Sequence, residues 1–199
     1  EWTIDGGLEP PLQEPLGARQ LSDEEARDLL RHLDSQIERV VLARQHPISG
    51  LLPASTANTV HGNYGDAWLR DCVYSIQCVW GLAQAHRRLN GPCTRSHELN
   101  QRVLQLMRGL LTAMMRQAPK VERFKRSLDR LDAIHAKFDT GTGNPVVPDD
   151  GWGHLQLDAT ALYLLQLAQL TRAGLVVVQS SHERDFLQNL VYYVARAYR

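Results

Sequence analysis

LQLDATALYLLQLAQL, residues 155–170, is apolar on nearly every face of a helix. A surface helix normally carries one apolar stripe opposite a polar face. A segment without a polar face is expected to be buried all round. Gly174 follows as its expected C-cap. Val176-Val177-Val178 then reads as a short extended piece. Ser180 and Glu183 form a capping box for a last helix on Phe186, Leu187, Leu190, Val191 and Val194.

Working back toward the N-terminus, the same 3.6-residue period recurs. Ser22 and Glu25 form a first capping box, and Ala26, Leu29, Leu30, Leu33, Ile37, Val40 and Val41 follow the i, i+3, i+4, i+7 stripe until His46-Pro47. A helix on Val73, Ile76, Trp80 and Ala83 is expected to start near Asp71 and to end before Asn90-Gly91-Pro92. Another, on Leu99, Val103, Leu106, Met107, Leu110, Leu111 and Met114, runs from about Ser96 to Gln117. Val121, Phe124, Leu128 and Leu131 mark a shorter amphipathic stretch. Long loops over 48–64 and 139–153 separate these helices, and loops of that length inside a domain are often functional. The fold class is all-α. Residues 1–20, with Pro10, Pro11 and Pro15 and no apolar period, read as an extended arm ahead of a helical region over 21–199.

The chain has 199 residues, 22 basic and 22 acidic side chains, and a hydrophobic fraction of 43%. A net charge of zero argues against nucleic acid or an anionic membrane as the main partner. No apolar run reaches the roughly 18 residues of a membrane span. Cys72, Cys78 and Cys93 form no C-x-x-C pair and read as reduced thiols, which favours a cytoplasmic location. The histidines show no metal-ligand spacing, so no metal and no cofactor are expected. Neither a P-loop nor a G-x-S-x-G elbow is present, and Thr140-Gly141-Thr142-Gly143 resembles a phosphate cradle only superficially. The basic stretch 116–130 reads as a solvated face before it reads as a partner site.

Two clusters carry chemistry. In Asp66-Ala67-Trp68-Leu69-Arg70-Asp71 an aromatic, a guanidinium and a carboxylate meet where a long loop enters a helix. Tryptophan stacks on sugar rings while Arg and Asp fork to vicinal hydroxyls, so Trp68, Arg70 and Asp71 suit a carbohydrate. The same residues also fit an N-cap Asp71, an Arg70 in a surface ion pair and a core Trp68. In the second cluster, 149–158, Trp152 lies between glycines, and Gln156 and Asp158 enter the apolar helix, where buried polar groups need partners. Those partners are either a ligand or backbone groups of the neighbouring loop.

The motifs resemble the phosphorylase b kinase regulatory α/β subunit family. The resemblance is carried by GLLPAS (50–55), DAWLRDCVYSI (66–76), LMRGLL (106–111), KVERFK (120–125), IHAKF (134–138), WGHLQLDAT (152–160) and FLQNLV (186–191), in that order. That family's N-terminal region is similar to the glucoamylases of glycoside hydrolase family 15. The resemblance therefore implies an (α/α)6 toroid, a six-hairpin fold with a sugar pocket at one end of its inner helices. It places Trp68, Arg70 and Asp71 at the innermost glucose subsite, with Trp152, Gln156 and Asp158 on the same rim. An α-glucan or oligosaccharide is the implied ligand, in glycogen metabolism, and other subunits of a kinase-type complex are implied partners. The alternative is an inverting exo-acting glucan hydrolase. Inverting enzymes need two carboxyl groups about 6.5–9.5 Å apart, and the resemblance puts both glutamates beyond residue 199, so no catalytic residue is assigned. The resemblance likewise puts the family's calmodulin-binding and prenylation sites outside this chain. A ring of twelve helices at three turns each needs roughly twice this length. With Glu1 rather than Met at its start, the sequence is therefore expected to be a fragment exposing an apolar edge.

Overall fold

The computed structural model describes residues 21–56, 58–59, 62–151 and 156–198. The expected N-terminal arm, 1–20, lies outside the described residues, as does Trp152.

Six α-helices dominate: α1 (Asp23–Val40), α2 (Leu69–Asn90), α3 (Thr94–Met115), α4 (Ala118–Ser127), α5 (Leu157–Arg172) and α6 (Ser181–Ala197). Both capping boxes form. The Ser22 and Ser180 hydroxyls accept from the amides of Glu25 and Glu183, whose carboxylates accept in return from the serine amides. Four two-residue strands punctuate the loops: β1 (Asn58–Thr59), β2 (Gly62–Asn63), β3 (Ala67–Trp68) and β4 (Lys137–Phe138). The strands β1 and β2 pair antiparallel, and so do β3 and β4, with Ala67 opposite Phe138 and Trp68 opposite Lys137.

Two inner helices set the architecture. Along α2 and α5, Arg70 pairs with Asp158 and, further down, the Gln77 side chain donates to Gln166 at 2.9 Å. Partner numbers rise together, so α2 and α5 run parallel with their N-terminal ends side by side. The short turn at 91–93 returns the chain from α2 into α3, which makes those two antiparallel neighbours. The Tyr163 hydroxyl of α5 donates to the Met107 carbonyl of α3 at 3.1 Å, and burial pushes its phenol far above the ordinary range. Phe124 of α4 packs on Tyr193 of α6 with ring centroids 4.6 Å apart. Parallel inner helices connected through antiparallel outer ones are the glucoamylase-like arrangement that the motifs implied.

Three expectations need correction. The apolar α5 is not buried on every face: Leu165 is 64% exposed, because α2, α3 and α6 cover only part of its circumference. Leu128 is not on a core face either; it takes a left-handed conformation, φ 54°, as the C-cap of α4, and both it and Leu131 are exposed. The stretch 176–178 lies between α5 and α6, where Val177 is buried and its carbonyl accepts from Arg108 at 2.6 Å. Finally, α1 stops at Val40, ahead of a 3-10 turn over Leu42–Arg44, so His46-Pro47 does not end it.

Cys72 is buried beside the Leu52 carbonyl at 3.2 Å, and burial pushes its thiol up to about 12. Cys78 is exposed and Cys93 half-buried. A thiol reagent counted by mass spectrometry is expected to label Cys78 and Cys93 in the native chain, and Cys72 only after unfolding. Native labelling of Cys72 would contradict this packing.

Candidate carbohydrate site at the ends of α2 and α5

The loop that delivers the first cluster is held from both sides. Ala54 N donates to the Asp66 carbonyl at 3.0 Å and Ser55 N to that of Tyr64 at 2.9 Å. The loop over 48–64 thus leaves and returns at one place, beside the start of α2. Leu69 N donates to the Ala136 carbonyl at 2.8 Å, and this continues the β3–β4 pairing into the first turn of the helix.

Trp68, not Asp71, is the N-cap of α2. Asp71 sits inside the first turn, where a carboxylate complements the helix dipole. The Trp68 ring lies near parallel to Tyr64, centroids 6.4 Å apart, and the Lys137 ammonium stands 5.6 Å from its centre. Lys137 is also ion-paired with Asp66 at 2.9 Å, and both side chains are largely buried. Tyr64 and Lys137 were missed in the sequence, since Lys137 is distant along the chain and Tyr64 belongs to no periodic pattern.

Arg70 donates to Asp158 Oδ2 at 2.7 Å. This hydrogen bond and the Asp158 charge hold the guanidinium proton even more firmly than usual. Both groups stay open to solvent, with side chains 39% and 59% exposed. Asp158 is therefore not buried as the apolar helix suggested: it pairs with a side chain of the first cluster rather than with loop backbone. Gln156 is the N-cap of α5, its carbonyl accepting from Thr160 N at 3.4 Å. The structure thus brings Trp68, Arg70, Asp71, Gln156 and Asp158 to one end of the parallel helices. An exposed ion pair of this kind contributes about 0–1 kcal/mol. Opening the pair therefore costs little, and its donors and acceptors are of the kind that suit vicinal hydroxyls.

Other candidates are occupied. The Asp139 carboxylate accepts from Thr142 N at 2.7 Å and Thr142 Oγ1 at 2.8 Å, which folds the glycine-threonine loop on itself. In the basic stretch, Arg123 pairs with Asp132 at 2.7 Å, Lys125 with Glu122 at 2.9 Å, and Lys120 with Asp149. Among the described residues no group of histidine, cysteine and carboxylate side chains is arranged to hold a metal ion. No helix among them is long and apolar enough to cross a membrane.

The sequence of residues 29–199 matches the family described as glycosyl hydrolases family 15. The chain belongs to that family. Within it, the chain is similar to the phosphorylase b kinase regulatory subunits. It is 48% identical over 166 residues to the alpha subunit, liver isoform, of Takifugu rubripes, which covers 82% of this chain and 13% of that protein. Identity to the skeletal muscle alpha isoform of Oryctolagus cuniculus is 49% over the same shares. The probable beta subunit of Drosophila melanogaster is 38% identical over 198 residues, 98% of this chain and 18% of that protein. The family 15 chain described here thus spans less than a fifth of the length of these relatives.

Proposed function

We propose that the ends of α2 and α5 form an α-glucan-binding site of a phosphorylase kinase regulatory-type protein acting in glycogen metabolism. The observation that carries this reading is the Arg70–Asp158 pair, which joins the two motifs at the one place where both helix N-termini meet. Trp68 supplies an aromatic wall, Arg70 a fork of donors, Asp71 and Asp158 acceptors, and Gln156 an amide; the family motif implies a further aromatic role for Trp152. Kinase-type subunits are the proposed protein partners and the cytoplasm the proposed location. A second reading, an inverting glucan hydrolase, draws on the family 15 match and predicts glucose release.

Calorimetric titration of the full chain with maltoheptaose and with acarbose tests the first reading. Charge-assisted hydrogen bonds are worth about 1.5–3 kcal/mol. Arg70→Ala is therefore expected to weaken binding by about 10- to 100-fold. Equal affinity in both proteins overturns the reading.

A further inference from the structure

The segment 134–138 touches both clusters at once. The Ala136 carbonyl accepts from the first residue of α2, and Lys137 lies opposite Trp68 while reaching Asp66. In the other direction, His135 Nε2 stands 2.8 Å from Asp149 Oδ1, on the loop that leads into α5. Lys120 of α4 donates to the same carboxylate oxygen. The segment is itself pinned: the Gln117 side chain accepts from His135 N at 2.7 Å and donates to His135 O at 3.2 Å, while Ile134 N donates to the Tyr193 hydroxyl at 3.3 Å.

Burial is unequal across this cluster. The Lys120 and His135 side chains are 11% and 5% exposed, whereas Asp149 is 61% exposed. A nearly buried ammonium needs a carboxylate, and here that partner sits on a surface loop. Residues 144–150 are exposed but for half-buried Val147, and they add nothing to the core. Core stability alone does not call for a buried lysine aimed at such a loop. Fixing the loop does.

We infer that Lys120 and His135 are positioning residues of the glycan site: through Asp149 they fix residues 144–151, whose Val146 N donates to the Lys137 carbonyl beside the β3–β4 pair that carries Trp68. The inference rests on the glycan-site reading, and none of the three residues needs to touch the ligand. The ammonium and the imidazole converge on one oxygen, so changes at Lys120 and at Asp149 act on the same loop.

A double-mutant cycle on maltoheptaose affinity in the full chain tests this, using Lys120→Met, Asp149→Asn and both together. Each single change is expected to weaken binding by roughly tenfold, and the double change by no more than either, as coupled residues do. Lys120→Arg, which keeps the charge, should restore most of the affinity. Amide hydrogen exchange at Val146 and Gly151 should accelerate in Asp149→Asn, while the amides in the middle of α3 stay protected. Unchanged affinity in Lys120→Met and Asp149→Asn, with binding still lost in Arg70→Ala, overturns the inference and spares the site. If the unmutated chain binds no glucan, the glycan-site reading fails instead, and unchanged exchange at Val146 and Gly151 then removes the clamp as well.

Discussion

Replacing Gly109 by alanine is expected to destabilise the chain by about 2–3 kcal/mol, although alanine in a helix normally gains about 1 kcal/mol over glycine. Gly109 lies in the middle of α3, and a Cβ built there would stand 2.0 Å from the Ser49 carbonyl oxygen. That oxygen cannot step aside cheaply. The turn at 46–51 is tied to α3 by Gln105, which donates to the Pro47 carbonyl at 2.7 Å, and by Gln45, which donates to Arg102 O at 2.9 Å and Gly50 O at 3.0 Å. Ser49 also donates to the Thr140 carbonyl at 2.6 Å. Gly50 presses from the other side: its φ is +74°, and a Cβ there would meet the Gln105 carbonyl oxygen at 2.5 Å. The two glycines allow helix and turn to meet backbone to backbone, at the base of the loop that supplies the first motif. Urea unfolding measures the effect, and a Gly109→Ala chain as stable as the parent would refute this contact.

The helices were legible in the sequence because one signal, apolar residues at a 3.6-residue period, is local. Ser22-Glu25 and Ser180-Glu183 are equally local, and both fall where the capping pattern put them. Misreadings arose where a residue serves the backbone instead of the core. Leu128 has the right spacing for α4, yet the chain needs a left-handed cap there and leucine supplies it at the cost of exposure. Asp71 looks like an N-cap, but the β3–β4 pairing carries extended geometry up to Trp68 and moves the cap back to it. The residues of the candidate site were visible as two polar clusters at loop-to-helix boundaries. Their meeting was not: Arg70 and Asp158 are far apart in the chain, and no periodicity reports that two helices run parallel. Lys120, His135 and Lys137 stayed hidden for the same reason, since a buried basic side chain has the same letter as a solvated one.

Arg95→Met is expected to release α1 from the rest of the chain. Helix α1 buries little: Leu30 is buried, but Leu29, Leu33 and Val40 of its apolar stripe are 43–52% exposed. Hydrophobic burial at about 25 cal/mol per Å² therefore contributes less to its attachment than the stripe suggests. What joins it to α2 and α3 is a charge cluster around Asp34. Arg95 donates to Asp34 through Nε at 3.1 Å and to Glu38 at 2.8 Å, and His86 Nε2 lies 3.0 Å from Asp34. Burial pushes the Asp34 carboxyl up, but the hydrogen bonds and charges of Arg95, and then of His86, hold it below the ordinary carboxylate range. Removing one partner of a buried ion pair costs about 3–5 kcal/mol. The side chains of Asp34 and Arg95 are 22% and 30% exposed, so a loss of about 1–3 kcal/mol is appropriate. That corresponds to amide exchange in α1 faster by about 5- to 150-fold, with the amides of α2 and α3 beneath unchanged. The pH dependence has a definite sign. A carboxyl whose folded value lies below its unfolded value of about 3.9 stabilises the native state above that pH. The contribution fades as pH falls through the lowered folded value. In the parent chain the protection of α1 should therefore fall as pH drops below about 4, and in Arg95→Met it should already be lower at neutral pH. Protection of α1 that survives the substitution at neutral pH would show that its few buried apolar contacts suffice.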